Sequence, residues 1–224
     1  MDGPTLEGVE TLILIPTAGE AQSLGPERLA QAQPVALCGF GPIAAAASTA
    51  RELARLRPQR VLLVGIAGSF DVQRHPIGTA AVFTQVRVDG IGAGEGAEAQ
   101  TPRDLGLPQW SASDDGPGVF DTLPLSSPDP IEDRTLLTVC SCSASTQQAD
   151  RRRRDFQDPA AEDMEGFGVA LACRQFGTPL GIVRGISNAV GNRDTRSWRI
   201  KPAMHAAWDA MLELLADQDW GRES

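Results

Sequence analysis

The fold of this chain is decided by residues 34–68, which read PVALCGFGPIAAAASTARELARLRPQRVLLVGIAG. Residues 34–41 predict a strand that ends in glycines, and residues 42–56 predict an alanine-rich helix. Residues 60–68 then predict a second strand, apolar at almost every position. Strands that are apolar on both faces are typical of a parallel sheet covered by helices on both sides. We therefore predict an α/β fold of three layers, αβα, around a central, mostly parallel mixed sheet.

The remaining pattern extends this sheet and its helices. Further strands are predicted over residues 11–16, 79–88, 134–145 and 180–187, and further helices over residues 161–173 and 201–217. In the last helix, apolar residues at helical spacing are expected in the core: Met204, Trp208, Met211 and Leu215. Residues 89–134 are poorly patterned and are expected to form a functional loop or lid. The arginine-rich segment 151–155 is expected to be a solvated face. Residues 1–224 are expected to form one domain.

The composition argues against several classes of function. The 224 residues carry 20 Lys and Arg against 29 Asp and Glu, a net charge of −9, whereas a nucleic-acid surface needs a basic field. The chain contains no apolar run of about 18 residues and begins without a basic and apolar leader, so we expect neither a membrane span nor a signal peptide. The cysteines lack paired metal spacing and are interpreted as reduced core thiols: Cys38, Cys140, Cys142 and Cys173. We expect a cytoplasmic protein with no metal and no cofactor.

Polar residues cluster where the predicted strands end. They lie in four segments, PTAGE (16–20), GIAGS (65–69), EDMEG (162–166) and RGISN (184–188). Because parallel strands end at one edge of a sheet, these side chains could converge there: Glu20, Ser69, Glu165, Arg184, Ser187 and Asn188. No phosphate-binding GxGxxG or GxxxxGKS/T pattern occurs. The carboxylates of EDMEG have two interpretations, as caps of the following helix or as ligands of a substrate.

Three segments resemble a known family. Residues 162–194, EDMEGFGVALACRQFGTPLGIVRGISNAVGNRD, resemble the carboxylate–Met–Glu helix, turn and strand of the nucleosidase branch of the nucleoside phosphorylase/hydrolase superfamily. CGFGPIAAAAS (38–48) and VGIAGSF (64–70) resemble its glycine-rich corner and its GxAG segment. The resemblance covers most of residues 11–215 and is weakest over 89–134. It implies a nucleoside phosphorylase-like fold, a small-molecule nucleoside substrate, and assembly as a homo-oligomer, a dimer or larger.

The resemblance also implies how an N-glycosidic bond would be broken, a reaction that builds positive charge on the ribose. Glu165 would accept hydrogen bonds from the 2′- and 3′-hydroxyls, and Met164 would pack against the sugar. Glu162 and Asp163 would instead cap and orient the helix that follows. Glu20 would position and deprotonate the attacking water. Arg184 would orient either this water or the neighbouring acid Asp163.

The residue that would hold the departing purine differs between enzymes of this branch that act on different substrates. Nucleosidases that act on methylthioadenosine or S-adenosylhomocysteine have an aspartate where this chain has Asn188, which would be held by Ser187. An amide can donate to N7 or O6 of a 6-oxopurine, so the resemblance favours the futalosine hydrolases, which release hypoxanthine from futalosine in a menaquinone pathway. Ile66 stands where the adenine-specific enzymes have a serine, and Ser69 could supply the missing hydroxyl.

The 5′ side of the substrate would meet an aromatic wall. Trp198 follows Asn188 at the spacing of a family aromatic that covers the sugar's 5′ side. Futalosine carries a benzoate on its 5′ extension, which a nearby cation would suit. The basic residues that would either bind it or simply face solvent are Arg193, Arg196, Arg199 and Lys201.

Three alternatives stay open from the sequence. One is a methylthioadenosine/S-adenosylhomocysteine nucleosidase, and a second is a purine or uridine phosphorylase. The third is a non-catalytic nucleoside-binding protein on the same fold. Hydrolysis is favoured over phosphorolysis because no arginine precedes Arg28, and because the first loop carries Glu20, whose carboxylate repels phosphate.

Overall fold

One mixed sheet forms the centre of the fold. The computed structural model describes residues 9–94, 96–113, 117–127, 134–217 and 220, and within these residues the sheet has nine strands. The strands are β1 Thr11–Ile15, β2 Val35–Leu37, β3 Arg60–Ser69, β4 Ala80–Val82, β5 Gln85–Asp89, β6 Thr122–Pro124, β7 Thr135–Val139, β8 Ala161–Asp163 and β9 Leu180–Ala189. Five strand pairs in this part of the chain are parallel and three are antiparallel, which confirms the predicted mixed, mostly parallel sheet.

Helices cover both faces of the sheet. They are α1 Ala18–Leu29, α2 Pro42–Leu56, α3 Thr146–Asp155, α4 Gly166–Phe176 and α5 Ile200–Ala216. Successive side chains of a strand point to opposite faces, so Leu12 and Leu14 of β1 join a core with α2 and α4. Ile13 and Ile15 join a second core with α1 and α5. The strands are apolar along their length because both faces are buried, and the predicted three layers are confirmed.

The carboxyl end of β3 has a different neighbour on each side. β1 pairs with the first half of β3, whereas β9 runs parallel to it over residues 61–69. Beyond the end of β1, β8 pairs antiparallel with Gly68 and Ser69. This arrangement brings the ends of β3, β8 and β9 together at one edge of the sheet.

Several predicted elements have different bounds in the structure. The strand predicted over 79–88 is two strands, because the chain crosses at Phe83 and Thr84 from pairing with β9 to pairing with β7. The helix predicted over 161–173 begins as strand β8, and its helical part starts at Gly166. The strand predicted over 134–145 ends at Val139. These boundaries depend on partner strands that local periodicity does not reveal.

Helix α1 was not predicted from the sequence. Thr17 caps it, and Thr17 and Glu20 form a capping box in which each side chain accepts a hydrogen bond from the other's backbone N–H. The signal was present as a threonine followed three residues later by a glutamate. Gly25 and Pro26 obscured the helical pattern, because the backbone at Gly25 is not helical.

The prediction that the arginine-rich segment 151–155 faces solvent is wrong at one position. These residues lie in α3, where Arg151 and Arg154 are exposed but Arg152 is buried. The stretch 89–134 contains strand β6, and its residues 95, 114–116 and 128–133 lie outside the described residues. A lid role for this stretch stays a prediction.

The cysteines are free thiols, but two of them are not core residues. Cys38 and Cys173 are buried, as expected, whereas Cys140 is exposed and Cys142 is half-buried. Both exceptions lie within the predicted strand 134–145 but beyond Val139, where the observed strand β7 ends. Within the described residues, no helix is long and apolar enough to cross a bilayer.

Helix α5 packs closely against β9, and Gly185 makes this approach possible. A Cβ at this position would lie 1.9 Å from the carbonyl oxygen of Ala203 on α5. We expect Gly185→Ala to lower the free energy of unfolding by about 1–3 kcal/mol, since overpacking moves the helix from the sheet. Denaturant unfolding measures this change. Gly19→Ala is the control, because its nearest neighbour would be 3.9 Å away, and a similar loss in both variants would contradict the prediction.

Candidate active site

A pocket of about 400 Å³ opens where β3, β8 and β9 end. It is lined by Thr17, Gly19, Glu20, Phe40, Ile66, Ala67, Gly68, Cys142, Ser143, Glu162, Asp163, Met164, Glu165, Ser187, Asn188, Val190, Gly191, Arg193, Trp198 and Ile200. Six of the residues predicted for the site are among them: Glu20, Met164, Glu165, Ser187, Asn188 and Trp198. The edge of the sheet predicted from the sequence is therefore the edge that carries the pocket.

Two predicted residues do not line this pocket. Ser69 is buried, and its hydroxyl accepts a hydrogen bond from the backbone N–H of Asp71 at 3.1 Å. Arg184 is completely buried behind the pocket wall. Ile66 does line the pocket, so the position that carries serine in the adenine-specific enzymes presents an apolar surface here.

Glu20 is a buried carboxylate held from two sides. One oxygen, Oε2, accepts hydrogen bonds from the backbone N–H and the hydroxyl of Thr17, at 3.1 and 2.6 Å. The other, Oε1, accepts the backbone N–H of Ile66 at 3.0 Å. A carboxylate has about four acceptor positions, so three protein donors leave one free on Oε1. Glu20 can therefore serve the capping box and still accept a hydrogen bond from a ligand or a water.

Arg184 connects the acidic residues behind the pocket. Its Nη2 donates to Asp163 Oδ2 and, at 3.3 Å, to Glu165 Oε2. Its Nε and Nη1 have no hydrogen-bond partner among the described residues. Nη1 lies against Gly65, where a Cβ would be 2.0 Å from Nη1 and 2.9 Å from Glu20 Oε1. One cation thus faces three carboxylates.

The charges of this cluster shift two pKa values. Burial alone lowers the pKa of the Arg184 guanidinium, but the carboxylates of Asp163, Glu165 and Glu20 outweigh it and raise the pKa. Burial raises the pKa of the Glu165 carboxyl from 4.5 to about 7, with Arg184 opposing the rise and Asp163 adding to it. Near neutral pH, Glu165 therefore exists in both protonation states.

The acidic segment divides its two predicted roles among its residues. Asp163 accepts the N–H of Gly166 at 2.9 Å, so it does cap α4, and its other oxygen accepts the hydroxyl of Thr138 at 2.6 Å. Glu165 makes no capping bond and instead accepts the N–H of Gly41 at 3.1 Å. Glu162 does not cap the helix, because it lies in β8 and bonds to another loop.

Asn188 is oriented by its neighbour. The pairing of β3 with β9 shifts register, so that Ala67 faces Ile186 while Gly68 faces Asn188. Ser187, the residue skipped by this bulge, donates its hydroxyl to Asn188 Oδ1 at 2.7 Å. The amide Nδ2 donates one hydrogen to the carbonyl of Ala189 at 2.9 Å and retains a second. Asn188 thus presents an N–H donor at the pocket wall.

A second buried ion pair supports the opposite wall of the pocket. Arg152 of α3 donates to Glu162 Oε2 at 2.9 Å, to Ser143 Oγ at 2.8 Å and to Asp89 Oδ2 at 2.7 Å. The sequence does not reveal this group, because nothing in the run of arginines marks Arg152 as the buried one. Only the tertiary structure shows that Arg152 lies on the buried side of a helix that otherwise faces solvent.

The mouth of the pocket is aromatic and basic. Trp198 is half-buried, and the guanidinium of Arg193 lies 5.2 Å from the centre of its ring. Arg196 instead pairs with Asp194 at 2.8 Å. Arg199 and Lys201 are exposed and do not line the pocket, so Arg193 is the member of the predicted basic cluster that the structure brings to the site.

The site contains acids but no metal-binding arrangement. Among the described residues, no group of three or more His, Cys, Asp or Glu side chains is placed to hold a metal ion. The carboxylates instead bind Arg184, Arg152, hydroxyls and backbone N–H groups.

The fold and the pocket define a class of protein, an α/β enzyme with a small-molecule site at the carboxyl edge of its sheet. The family profile of the phosphorylase superfamily matches residues 30–217. The chain belongs to this superfamily and, by its relatives, to the nucleosidase branch.

The similar sequences are named either as futalosine hydrolases or as 5′-methylthioadenosine/S-adenosylhomocysteine nucleosidases. The chain is 34% identical over 182 residues to a futalosine hydrolase of Streptomyces coelicolor, covering 79% of this chain and 75% of that protein. It is 32% identical over 178 residues to a futalosine hydrolase of Acidothermus cellulolyticus, covering 72% and 66%. It is also 30% identical over 183 residues to a 5′-methylthioadenosine/S-adenosylhomocysteine nucleosidase of Bacillus subtilis, covering 80% and 73%.

Solved structures share the fold. A 5′-methylthioadenosine/S-adenosylhomocysteine nucleosidase from Colwellia psychrerythraea, in complex with adenine, superposes with a TM-score of 0.73 at 19% identity, covering 97% of this chain and 98% of that chain. A futalosine hydrolase of Helicobacter pylori superposes with a TM-score of 0.69 at 16% identity, covering 93% and 98%. These structures confirm the nucleoside phosphorylase-like fold.

The protonation of Glu165 provides a test of the buried cluster. We expect its carboxyl to titrate near pH 7 in the folded protein, measured by carbon NMR of labelled glutamate with Glu165→Gln for assignment. Arg184→Met should raise this pKa further, because a cation that lowers it is lost. The folded state binds this proton more tightly than the unfolded chain, so the stability contributed by Glu165 falls as the pH rises from 4.5 to 7. A midpoint near 4.5 would contradict the arrangement.

Proposed function

We propose that this protein is a futalosine hydrolase, which cleaves the N-glycosidic bond of futalosine with water to give hypoxanthine and dehypoxanthine futalosine in menaquinone biosynthesis. The observation that carries the proposal is one pocket that combines two held carboxylates, Glu20 and Glu165, with the oriented amide of Asn188. Sequence identity of 34% to a futalosine hydrolase supports the same substrate.

Glu165 would bind the ribose. Its carboxylate accepts one backbone N–H, from Gly41, and one hydrogen from Arg184, which leaves acceptor positions for the 2′- and 3′-hydroxyls. A charged acceptor on the diol also stabilises the cation that develops as the bond to the base breaks. Met164, half-buried in the same wall, would pack against the sugar.

Glu20 would act on the water. Its free acceptor position on Oε1 can take a hydrogen from a water molecule, and the three protein donors hold the carboxylate in place. A fixed base of this kind contributes about 10²–10⁴-fold to a rate. The same negative charge disfavours phosphate as the nucleophile, which supports hydrolysis over phosphorolysis.

Asn188 would bind the departing base. The second hydrogen of its Nδ2 can be donated to N7 or O6 of a 6-oxopurine, and Ser187 prevents the amide from turning over. An amide cannot protonate a leaving adenine, which argues against the methylthioadenosine/S-adenosylhomocysteine nucleosidase activity named for the Bacillus subtilis relative.

Arg184 would be a positioning residue rather than a group that touches the substrate. It is buried behind the pocket, where it fixes Asp163 and Glu165 and counteracts the burial that favours a protonated Glu165. Of the two roles implied by the resemblance, orientation of Asp163 has the support of a direct contact.

The proposal includes a cytoplasmic location and assembly as a homo-oligomer. Four free thiols suit a cytoplasmic protein. Phe40 and Ile43 beside the pocket are 67% and 85% exposed, which suits burial against a second copy in a homo-oligomer.

An assay of released base without added phosphate tests the proposed function. Futalosine, inosine and methylthioadenosine are incubated separately with the protein, and the products are separated by chromatography. We expect hypoxanthine from futalosine alone. Adenine from methylthioadenosine would assign the protein to the neighbouring nucleosidases, and release that requires phosphate would make it a phosphorylase.

Glu20→Gln identifies the base that acts on water. Gln also completes a capping box, so the helix should remain intact while the rate of futalosine cleavage falls about 10²–10⁴-fold. Calorimetry should show that the variant still binds futalosine. Retained turnover would exclude Glu20 as the base, and lost binding would assign it a structural role.

Arg193 provides a test of the 5′ extension. We propose that its guanidinium, stacked on Trp198, binds the benzoate of futalosine. Arg193→Ala should then raise KM for futalosine about three- to tenfold, because a partly exposed contact contributes less than the roughly 1.5–3 kcal/mol of a hydrogen bond to a charged group. The affinity for inosine, which lacks the 5′ benzoate, should stay unchanged when inosine is measured as a competitive inhibitor. Arg196→Ala is the matched control, since Arg196 is already paired with Asp194. Equal effects on both nucleosides would contradict this role.

A further inference from the structure

One buried acid of the pocket has no part in the reaction described so far. Glu162 is 6% exposed and lines the pocket together with Asn188 and Gly68. In the sheet, Gly68 of β3 is the register partner of Glu162 on one side and of Asn188 on the other. The carboxylate and the amide therefore flank the same glycine on neighbouring strands.

This register sets the distance between the two groups. Neighbouring strands lie about 4.8 Å apart, so the backbones at Glu162 and Asn188 are separated by roughly 10 Å. Directly paired residues share a face of the sheet, and a Cβ on Gly68 would lie 3.3 Å from Asn188 Nδ2, on the face that the amide occupies. Because Gly68 has no side chain, the apolar surface between the two groups is supplied by Val190, which also lines the pocket and whose Cγ2 would lie 3.1 Å from a Cβ on Gly68.

The carboxylate of Glu162 is fixed but not saturated. Its Oε1 accepts the backbone N–H of Ser143 at 2.8 Å. Its Oε2 accepts the hydroxyl of Ser143 at 2.7 Å and Nη1 of Arg152 at 2.9 Å. Of about four acceptor positions, one on Oε1 is left. A charged acceptor that the protein holds in place, with one acceptor position free, points to a ligand that carries an N–H donor.

A 6-oxopurine has this donor. It presents acceptors at N7 and O6 and an N–H at N1, whereas a 6-aminopurine has a bare lone pair at N1. From this complementarity we infer that Glu162 accepts the N1–H of a 6-oxopurine whose N7 and O6 edge is bound by Asn188, and so selects the base. A carboxylate facing the N1 lone pair of a 6-aminopurine would be repelled and left without its hydrogen bond. This inference rests on the proposed function, since it concerns the same base site.

Binding of the free bases tests the inference without requiring turnover. Calorimetry with hypoxanthine and with adenine gives the ratio of the two affinities for the wild-type protein and for Glu162→Gln. We expect the wild type to prefer hypoxanthine and the variant to reduce this preference at least about tenfold, mainly through weaker binding of hypoxanthine. Glu162→Asp keeps a charge for Arg152 but retracts the carboxylate, and it should reduce the preference too, so either variant that folds is informative.

Ser143→Ala is the matched control. It removes one hydrogen bond that holds Glu162 but leaves the carboxylate in the pocket, so both bases should weaken by the same small factor. If Glu162 only holds the wall together, Glu162→Gln will also weaken both bases equally, and an unchanged ratio would overturn the inference while leaving the proposed function intact. Failure of the wild type to bind either base would overturn both.

Discussion

The buried guanidinium of Arg184 is the interaction on which the pocket depends. A buried cation is costly unless it is paired, and here Asp163 and Glu165 accept its hydrogen bonds while Glu20 adds a third negative charge. The guanidinium fits because Gly65 has no side chain. One charge cluster therefore joins β3, β9, the start of α1 and the junction of β8 with α4, four parts of the chain that are distant in sequence.

The polar groups that line the pocket are held in position before any ligand arrives. Glu20 and Glu162 each accept three protein hydrogen bonds and keep one acceptor position, and Asn188 keeps one donor. Groups held in this way need little reorganisation when a ligand binds or when charge develops during a reaction. Gly68 is the register partner of both Glu162 and Asn188, and its lack of a side chain lets Val190 and the Asn188 amide approach its backbone.

Much of the fold could be predicted because its cause is local. The apolar runs of β1, β3 and β9 and the spacing of α5 follow from burial on one or both faces, which periodicity reports directly. Predictions were wrong where a segment's state depends on distant partners. Residues 161–163 form a strand because they pair with β7 and β3. Arg152 is buried because it forms ion pairs with Glu162 and Asp89 beneath α3.

By itself, the sequence determined the three-layer α/β architecture, the edge of the sheet that carries the site, and the residue types Glu20, Glu165 and Asn188 at that edge. Burial periodicity and the meeting of parallel strand ends are sufficient for the architecture and the edge, whereas the resemblance to the nucleosidases singled out Glu20, Glu165 and Asn188. The tertiary structure alone decided which side chains face the pocket. It placed Arg184 and Ser69 behind the wall and brought Glu162 into the pocket opposite Asn188, because strand register and pairing of buried charges act between residues far apart in the chain.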